Sequence, residues 1–458
     1  MRYKKRENLI DLCNNILYNT HRGETMYRKI YQELLNWKKS SIEKPLMIIG
    51  ARQIGKTYII DEFCKKEFKE YIYINLLEQT EITKIFKEEI NTAEKFNRMK
   101  IYLDKDIDLK NTIIFFDEVQ ESEEIISALK YFNESEEPFK IICAGSLLGV
   151  KLKRMHSSFP VGKVKMLNMY PMDFEEFLIA NGSKSLVDEI KKCYIESTPM
   201  DSVLHEKALN LYRLYLCVGG MPEAVKDIIA NEKDILKFDK TIIEDIYQSY
   251  LNDMNKYVSN KFEASKIETI YKSIPSQLGN MSNKFQYGKI SSNARKRDYE
   301  TALNWLLSST MIHKCSILKK PEIPPLGFII DDHFKLYLSD VGILVNMLQV
   351  KYNDIILDNL LQYKGIIAEN YVATQLVAKN IPLMYWESGN QAEVDFILYN
   401  NNGIIPIEVK ANDNVGSQSL NVYIKRYQPK YAIRISTKNF GFSNNIKSIP
   451  LYATFCID

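Results

Sequence analysis

In Leu46-Met-Ile-Ile-Gly50-Ala-Arg-Gln-Ile-Gly55-Lys56-Thr57 a short apolar run leads into a glycine-bounded, lysine-bearing segment. The run is short enough for a buried strand, and the chain beyond Thr57 reads as a helix. Between the two, Gly50, Ala51, Arg52, Gln53, Ile54, Gly55, Lys56 and Thr57 fit G-x-x-x-x-G-K-[ST] at every fixed position. A strand before and a helix after are the context that gives the motif its meaning. The glycines let backbone N–H groups curl around phosphates. Lys56 supplies a cation to the outer phosphates, the Thr57 hydroxyl is a candidate Mg2+ ligand, and Tyr58 ends the nucleotide-contacting segment.

Working outward, Tyr71–Asn75, Thr112–Phe116, Lys140–Ala144 and Val164–Asn168 read as four further strands, and Glu81–Asn97 as helical. Largely apolar strands interleaved with helices predict an α/β fold with a parallel sheet covered on both faces. Asp117-Glu118 ends the Thr112–Phe116 strand. Asp117 is expected as a partner of Mg2+, and Glu118 as the base that polarises the attacking water. Gln120 is a candidate for orienting that water. Ser146, after the fourth strand, is expected beside the γ-phosphate. Arg154, in Lys151-Leu-Lys-Arg154, is a candidate phosphate contact in its own or a neighbouring subunit, although a solvated basic loop explains it as well. A GTPase would carry N-K-x-D after a strand. Asn260-Lys-Phe-Glu263 and Asn283-Lys-Phe-Gln286 both lack the Asp, which favours ATP.

Composition sets the outer limits. The 458 residues correspond to about three domains. A net charge of +3 excludes a histone-like or acidic-tail protein, so any nucleic-acid site is a local patch. No apolar run approaches the roughly 20 residues of a membrane helix. The charged N-terminus is followed by no apolar signal segment. The 7 Cys and 5 His are dispersed, with no C-x-x-C or H-E-x-x-H, which fits reduced thiols in a cytoplasm and argues against zinc.

Beyond Asp173 the chain reads as helical to about Asn255, with a breaker at Val218-Gly-Gly-Met-Pro222. Ile243, Ile246, Tyr247 and Tyr250 fall at the spacing of one helix face. Residues 259–325 suggest a winged helix: a helix Ile267–Leu278 kinked at Pro275, a connector, and a second helix about Asp298–Ile312 containing Trp305, read as core. Arg295-Lys-Arg297 opposes the dipole of that helix, which makes phosphate contact attractive, although a solvated charge run explains it too. Further on, Asp395 lies in Glu393–Ile397, and Glu408 and Lys410 alternate on a second strand with Val409 turned to the core. Asp395, Glu408 and Lys410 can hold Mg2+ and position water for attack on a phosphodiester. Glu369, on the helix Gly365–Val377, is a further candidate ligand. An ordinary cross-strand ion pair yields the same pattern.

These residues resemble the prokaryotic AAA-class ATP-binding proteins whose C-terminal domain of unknown function has a restriction-endonuclease-like, PD-(D/E)XK fold. The matching stretches are Tyr27-Arg-Lys-Ile30, Pro45-Leu46 leading into the glycine loop, Phe116-Asp-Glu-Val-Gln120, Tyr170-Pro-Met-Asp-Phe-Glu-Glu-Phe177 and Gly219-Gly-Met-Pro222. They continue with Phe334–Gly342, Lys364-Gly-Ile-Ile-Ala-Glu-Asn370, Glu393-Val-Asp-Phe396 and Pro406-Ile-Glu-Val-Lys410. The resemblance implies ATP binding through Lys56 and Thr57, hydrolysis through Asp117 and Glu118, and a nuclease-like lobe around Glu369, Asp395, Glu408 and Lys410. Gly162-Lys163 departs from the Gly-Arg of many relatives, so no charge-sensing role passes to Lys163. The expected layout is an N-terminal helical segment 1–44, a P-loop ATPase core 45–172, a helical segment 173–258, a winged helix 259–325 and a nuclease-like domain 326–458. Expected partners are ATP, Mg2+, DNA or RNA, and a protein partner or second copy, without a membrane. The alternative is a regulatory or defence-type switch whose nuclease-like domain is catalytically silent and only binds.

Overall fold

The computed structural model describes residues 26–40, 44–104, 111–132, 140–154, 160, 162–256, 258, 260–280, 283–360, 362–389, 392–411 and 418–458. The segment expected over 1–44 lies outside the described residues up to position 25. Helix α1 (Ile30–Lys38) precedes strand β1 (Leu46–Ile49) and helix α2 (Lys56–Glu67). Then come β2 (Glu70–Asn75), α3 (Thr80–Lys87), α4 (Thr92–Tyr102), β3 (Thr112–Asp117), α5 (Glu123–Phe132), β4 (Lys140–Gly145), α6 (Leu148–Arg154) and β5 (Lys165–Asn168). The strands form one parallel sheet in the order β2-β3-β4-β1-β5.

Position in that sheet explains the composition of each strand. Central β1 and β3 are buried at every residue, whereas edge strands β2 and β5 carry exposed positions. Leu46, Ile48, Ile113, Phe115, Ile142 and Ala144 enter one core. Met47, Ile49, Ile72, Ile74, Ile114, Phe116, Ile141 and Cys143 enter the other. Each fully buried side chain of this size contributes roughly 1.5–3 kcal/mol. The sheet is therefore fixed from both faces.

The helical segment follows as α7 (Phe174–Ala180), α8 (Lys184–Glu196), α9 (Ser202–Val218), α10 (Pro222–Ala230) and α11 (Thr241–Lys256). Asp173 caps α7 in a capping box with Glu176. Ile243, Ile246 and Tyr250 on α11 are buried, as their spacing required. Helices α12 (Lys261–Leu278) and α13 (Lys296–Ser308) are succeeded by β6 (Ile312–Leu318) and β7 (Ile329–Leu338). Pro275 lies inside α12, and Trp305 is in the core. The second helix begins two residues earlier than expected and stops at Ser308, because Ile312 opens a strand.

Next come α14 (Val341–Met347), α15 (Tyr352–Ile356), α16 (Lys364–Ala378), β8 (Met384–Glu387), β9 (Glu393–Val394), β10 (Phe396–Asn400), β11 (Gly403–Val409), α17 (Gln418–Tyr427), β12 (Ala432–Ser436), β13 (Gly441–Ser443) and β14 (Ile446–Pro450). One sheet runs β10-β11-β12-β14-β13 and another runs β7-β6-β8-β9. The β6–β7 pair is thus no isolated wing. It shares a sheet with strands from beyond position 380, so the expected 325/326 boundary falls within the β6–β7 connection. Helix α16 is buried on all sides from Ile366 to Leu376, as befits a helix enclosed by β7, β11 and α14.

Candidate nucleotide site and the C-terminal carboxylate cluster

Parallel pairing brings Ile49 level with Gly145, and Asn75 level with Asp117, at the carboxyl edge of the first sheet. That edge is where ligands of open α/β sheets bind. The glycine-bounded loop emerges there from β1. Gly55 has φ +87°, a conformation that disfavours any side chain, and the next residue starts α2. Ala51 and Ile54 are buried, Gln53 takes φ 64°, and Tyr58 on the first turn of α2 is exposed.

Lys56 is buried, and its Nζ donates to the carbonyls of Gly50 (2.9 Å) and Ala51 (2.6 Å). Burial depresses its ammonium to about 8, against the pull of Glu118 and Asp117. Thr57 Oγ1 donates to Asp117 Oδ2 at 2.8 Å, and Tyr73 OH donates to the same oxygen at 3.1 Å. Burial pushes the Asp117 carboxyl upward, while the bonds from Thr57, from the Glu118 N–H and from Tyr73 pull it back. A hydroxyl and a carboxylate side by side are hard oxygen donors of the kind Mg2+ takes.

Glu118 adopts a left-handed backbone, φ 52° and ψ 42°, which costs an ordinary residue about 1–2 kcal/mol. Its Oε2 accepts from Gln120 Nε2 at 2.5 Å, while Gln120 Oε1 is buried without a hydrogen-bond partner. Gln120 therefore holds the candidate base. Ser146 sits in the turn after Gly145, next to the loop. The side chain of Arg154 lies outside the described residues. Lys163 is exposed in a turn.

Three features of this site escaped the sequence reading. Arg28, buried ahead of α1, donates to the Ile54 carbonyl (2.7 Å) and the Tyr170 carbonyl (2.6 Å), and pairs with Glu176 (3.3 Å). It ties the phosphate loop to the Tyr170–Phe177 motif. Arg52 donates to Asp253 Oδ1 on α11 at 2.6 Å, and Tyr250 OH donates to the Arg52 carbonyl at 3.2 Å. The second Asp253 oxygen is buried without a hydrogen-bond partner, and burial raises that carboxyl against the pull of Arg52. Finally, the Gly219–Pro222 motif is a joint. An added Cβ on Gly220 would stand 2.0 Å from the Met172 carbonyl oxygen, and the Gly220 N–H donates to Asp340 Oδ2 at 2.7 Å. Pro222 in turn lies against Gly55. Only the glycines signalled this joint in the sequence.

At the C-terminal site, the expected strand Glu393–Ile397 is broken. Asp395 is the bend between β9 and β10, which lie in different sheets. The bend turns its Oδ2 to the Val409 N–H at 2.7 Å. Its carboxyl is pushed up to about 7, first by burial and then by Glu369, against Lys335 and the Val409 bond. Glu408 and Lys410 share a face as expected and pair at 3.1 Å, but Glu408 is buried, with Oε2 lacking a hydrogen-bond partner.

Glu369 accepts from Lys335 Nζ at 2.9 Å, from Tyr337 OH, and from Asn283 Nδ2 at 3.2 Å. Lys335 also pairs with Glu393 at 2.6 Å. Among the described residues no group of three or more His, Cys, Asp or Glu can hold a metal ion. Of the expected Mg2+ set of Asp395, Glu408 and Glu369, protein donors bind Glu369 and Asp395, and Glu408 pairs with Lys410. Near the expected phosphate contact, Lys296 pairs with Asp332 at 2.7 Å.

Comparison with known proteins agrees with the first site. Residues 42–178 match the model of an AAA domain. Residues 209–354 match a domain of unknown function, DUF8612, and residues 364–454 another, DUF4143. An uncharacterized protein of Methanocaldococcus jannaschii, MJ1544, is 31% identical over 198 residues, a stretch spanning 42% of this chain and 38% of that relative. Among solved structures, the Walker-type ATPase PABY2304 of Pyrococcus abyssi aligns with 14% identity and a TM-score of 0.44, over 73% of this chain and 99% of that one. The Aeropyrum pernix ORC2 protein, in ADPNP–ADP complexes, aligns with 14% identity and a TM-score of 0.37, over 72% and 92%. The AAA match, together with the loop geometry, supports an AAA-class, P-loop ATP-binding protein. Among the described residues no helix is long and apolar enough to cross a membrane.

Proposed function

We propose that the chain is a Mg2+-dependent ATP-hydrolysing switch whose nucleotide cycle repositions its C-terminal half. The observation that carries this reading is the contact of Thr57 with Asp117, with Lys56 and Glu118 alongside. Loop N–H groups and Lys56 bind the phosphates, and Lys56 gives up the Gly50 and Ala51 carbonyls to do so. Thr57 and Asp117 hold Mg2+, which when bound neutralises charge on the phosphates. Glu118, released from Gln120, polarises the attacking water, and Ser146 reads the γ-phosphate. The shift passes through Pro222 and Gly220 to Asp340, and so to the lobe beyond.

That lobe is directed at nucleic acid or a protein partner. Of the two roles considered for it, cutting at Asp395, Glu408 and Lys410 or binding alone, the ion pairs of Lys335 favour binding alone. Lys56→Ala abolishes ATP binding in calorimetry, and Glu118→Gln binds ATP but stops phosphate release. An unchanged release rate in Glu118→Gln removes Glu118 from the role of base.

A further inference from the structure

We infer that Lys335 is the resident cation of the C-terminal carboxylate cluster, engaging by ion pairs carboxylates that a divalent metal would need. The inference rests on reading the lobe as a binding element and gives the reason it does not cut.

Strand β7 carries Phe334, Leu336 and Leu338 alternating with Lys335 and Tyr337. Alternation sends Lys335 and Tyr337 to one side of the strand, and both are fully buried there. A buried ammonium without partners would be expelled or neutralised. This one is retained because carboxylates of Glu369 and Glu393 reach it. The ammonium lies 2.9 Å from Glu369 Oε1 and 2.6 Å from Glu393 Oε1.

Three further protein donors reach these carboxylates. Tyr337 OH donates to Glu369 Oε1, Asn283 to Glu369 Oε2, and the Val409 N–H to Asp395 Oδ2. Mg2+ demands near-octahedral oxygen ligation at about 2.0–2.1 Å. Here most of the carboxylate oxygens are capped by protein donors, and a fixed positive charge sits on two of the three carboxylates. The donor set does not fit a divalent ion. The cluster is an internal salt-bridge knot that ties β7 and α16 to the bend before β10.

The test is an Mn2+ titration of the 458-residue chain without added nucleotide, read by electron paramagnetic resonance. Wild type is expected to show no stoichiometric site in this lobe. Lys335→Met, similar in length but uncharged, is expected to gain one equivalent, lost again when Asp395→Asn is added. Should Lys335→Met fail to fold, plasmid nicking in Mg2+ by wild type and by Asp395→Asn decides, with no difference expected. One equivalent of Mn2+ in wild type that Asp395→Asn removes and Asp117→Asn keeps overturns the inference. So does nicking that Asp395→Asn abolishes, or a folded Lys335→Met that takes up no Mn2+. ATP hydrolysis by the same preparations reports on the nucleotide site alone, so failure of the ATPase reading shows separately.

Discussion

Asp253→Ala should tighten ATP binding, although residue 253 lies on a helix outside the sheet that forms the loop. Arg52 is engaged by Asp253 at 2.6 Å, so phosphates arriving at the loop compete with a carboxylate. A hydrogen bond to a charged group contributes about 1.5–3 kcal/mol. The Arg52 side chain is 46% exposed and that of Asp253 only 2%. Screening on the arginine side brings the pair to about 1–1.5 kcal/mol. Removing the competitor should therefore lower the Kd for ATP about five- to tenfold. Isothermal titration on wild type, Asp253→Ala, Arg52→Ala and the double variant forms a double-mutant cycle. The gain should vanish in the Arg52→Ala background. An ATP affinity in Asp253→Ala equal to or weaker than wild type, or a gain that survives without Arg52, refutes competition at the loop.

Three further outcomes follow from the packing. Asp340 is buried and its carboxyl is raised to about 6, first by burial, with the Gly220, Ile343 and Gly342 N–H groups pulling it down. The folded state thus holds a proton that the unfolded chain releases earlier. Its contribution is complete below the unfolded value and is lost as pH rises towards 6. The stability of wild type relative to Asp340→Asn should fall by roughly 2 kcal/mol between pH 4 and 6, read from urea midpoints, and a flat difference would contradict the shift. Tyr371→Phe should be neutral or stabilising by about 1 kcal/mol in the same assay, since the Tyr371 hydroxyl is buried without a hydrogen-bond partner. A clear loss would mean that hydroxyl is satisfied. Gly220→Ala should cost about 1–3 kcal/mol in thermal unfolding, because its Cβ would meet the Met172 carbonyl at 2.0 Å. A wild-type melting temperature would show that the joint is slack.

The sheet was legible because buried parallel strands are continuous apolar runs, and Leu46–Ile49 and Thr112–Phe116 carry no polar interruption. The nucleotide site was legible because its ligands are local: Gly50 to Thr57 form one loop, and Asp117 directly ends a strand. What stayed hidden depends on distant segments meeting. Arg52 and Asp253 are 201 positions apart, and no spacing announces their pairing. Lys335 reads as one polar residue in an apolar strand. Only its alternation with Tyr337 hinted at a shared polar face, and the charge of that face comes from Glu369 and Glu393. Glu393–Ile397 has strand composition throughout, so Asp395 reads as part of a continuous strand. Its position at a bend between two sheets is a tertiary choice.

The four-stranded sheet β7-β6-β8-β9 decides where this polypeptide can be cut. Dividing it near 325, as the motifs alone invite, would leave β6 unpaired in one fragment and an open edge on β8 in the other. Both stumps would expose ladder groups able to recruit foreign strands. Fragments meant to separate the ATPase from its distal lobe are better ended before α12, so that the helix pair and both sheets travel together.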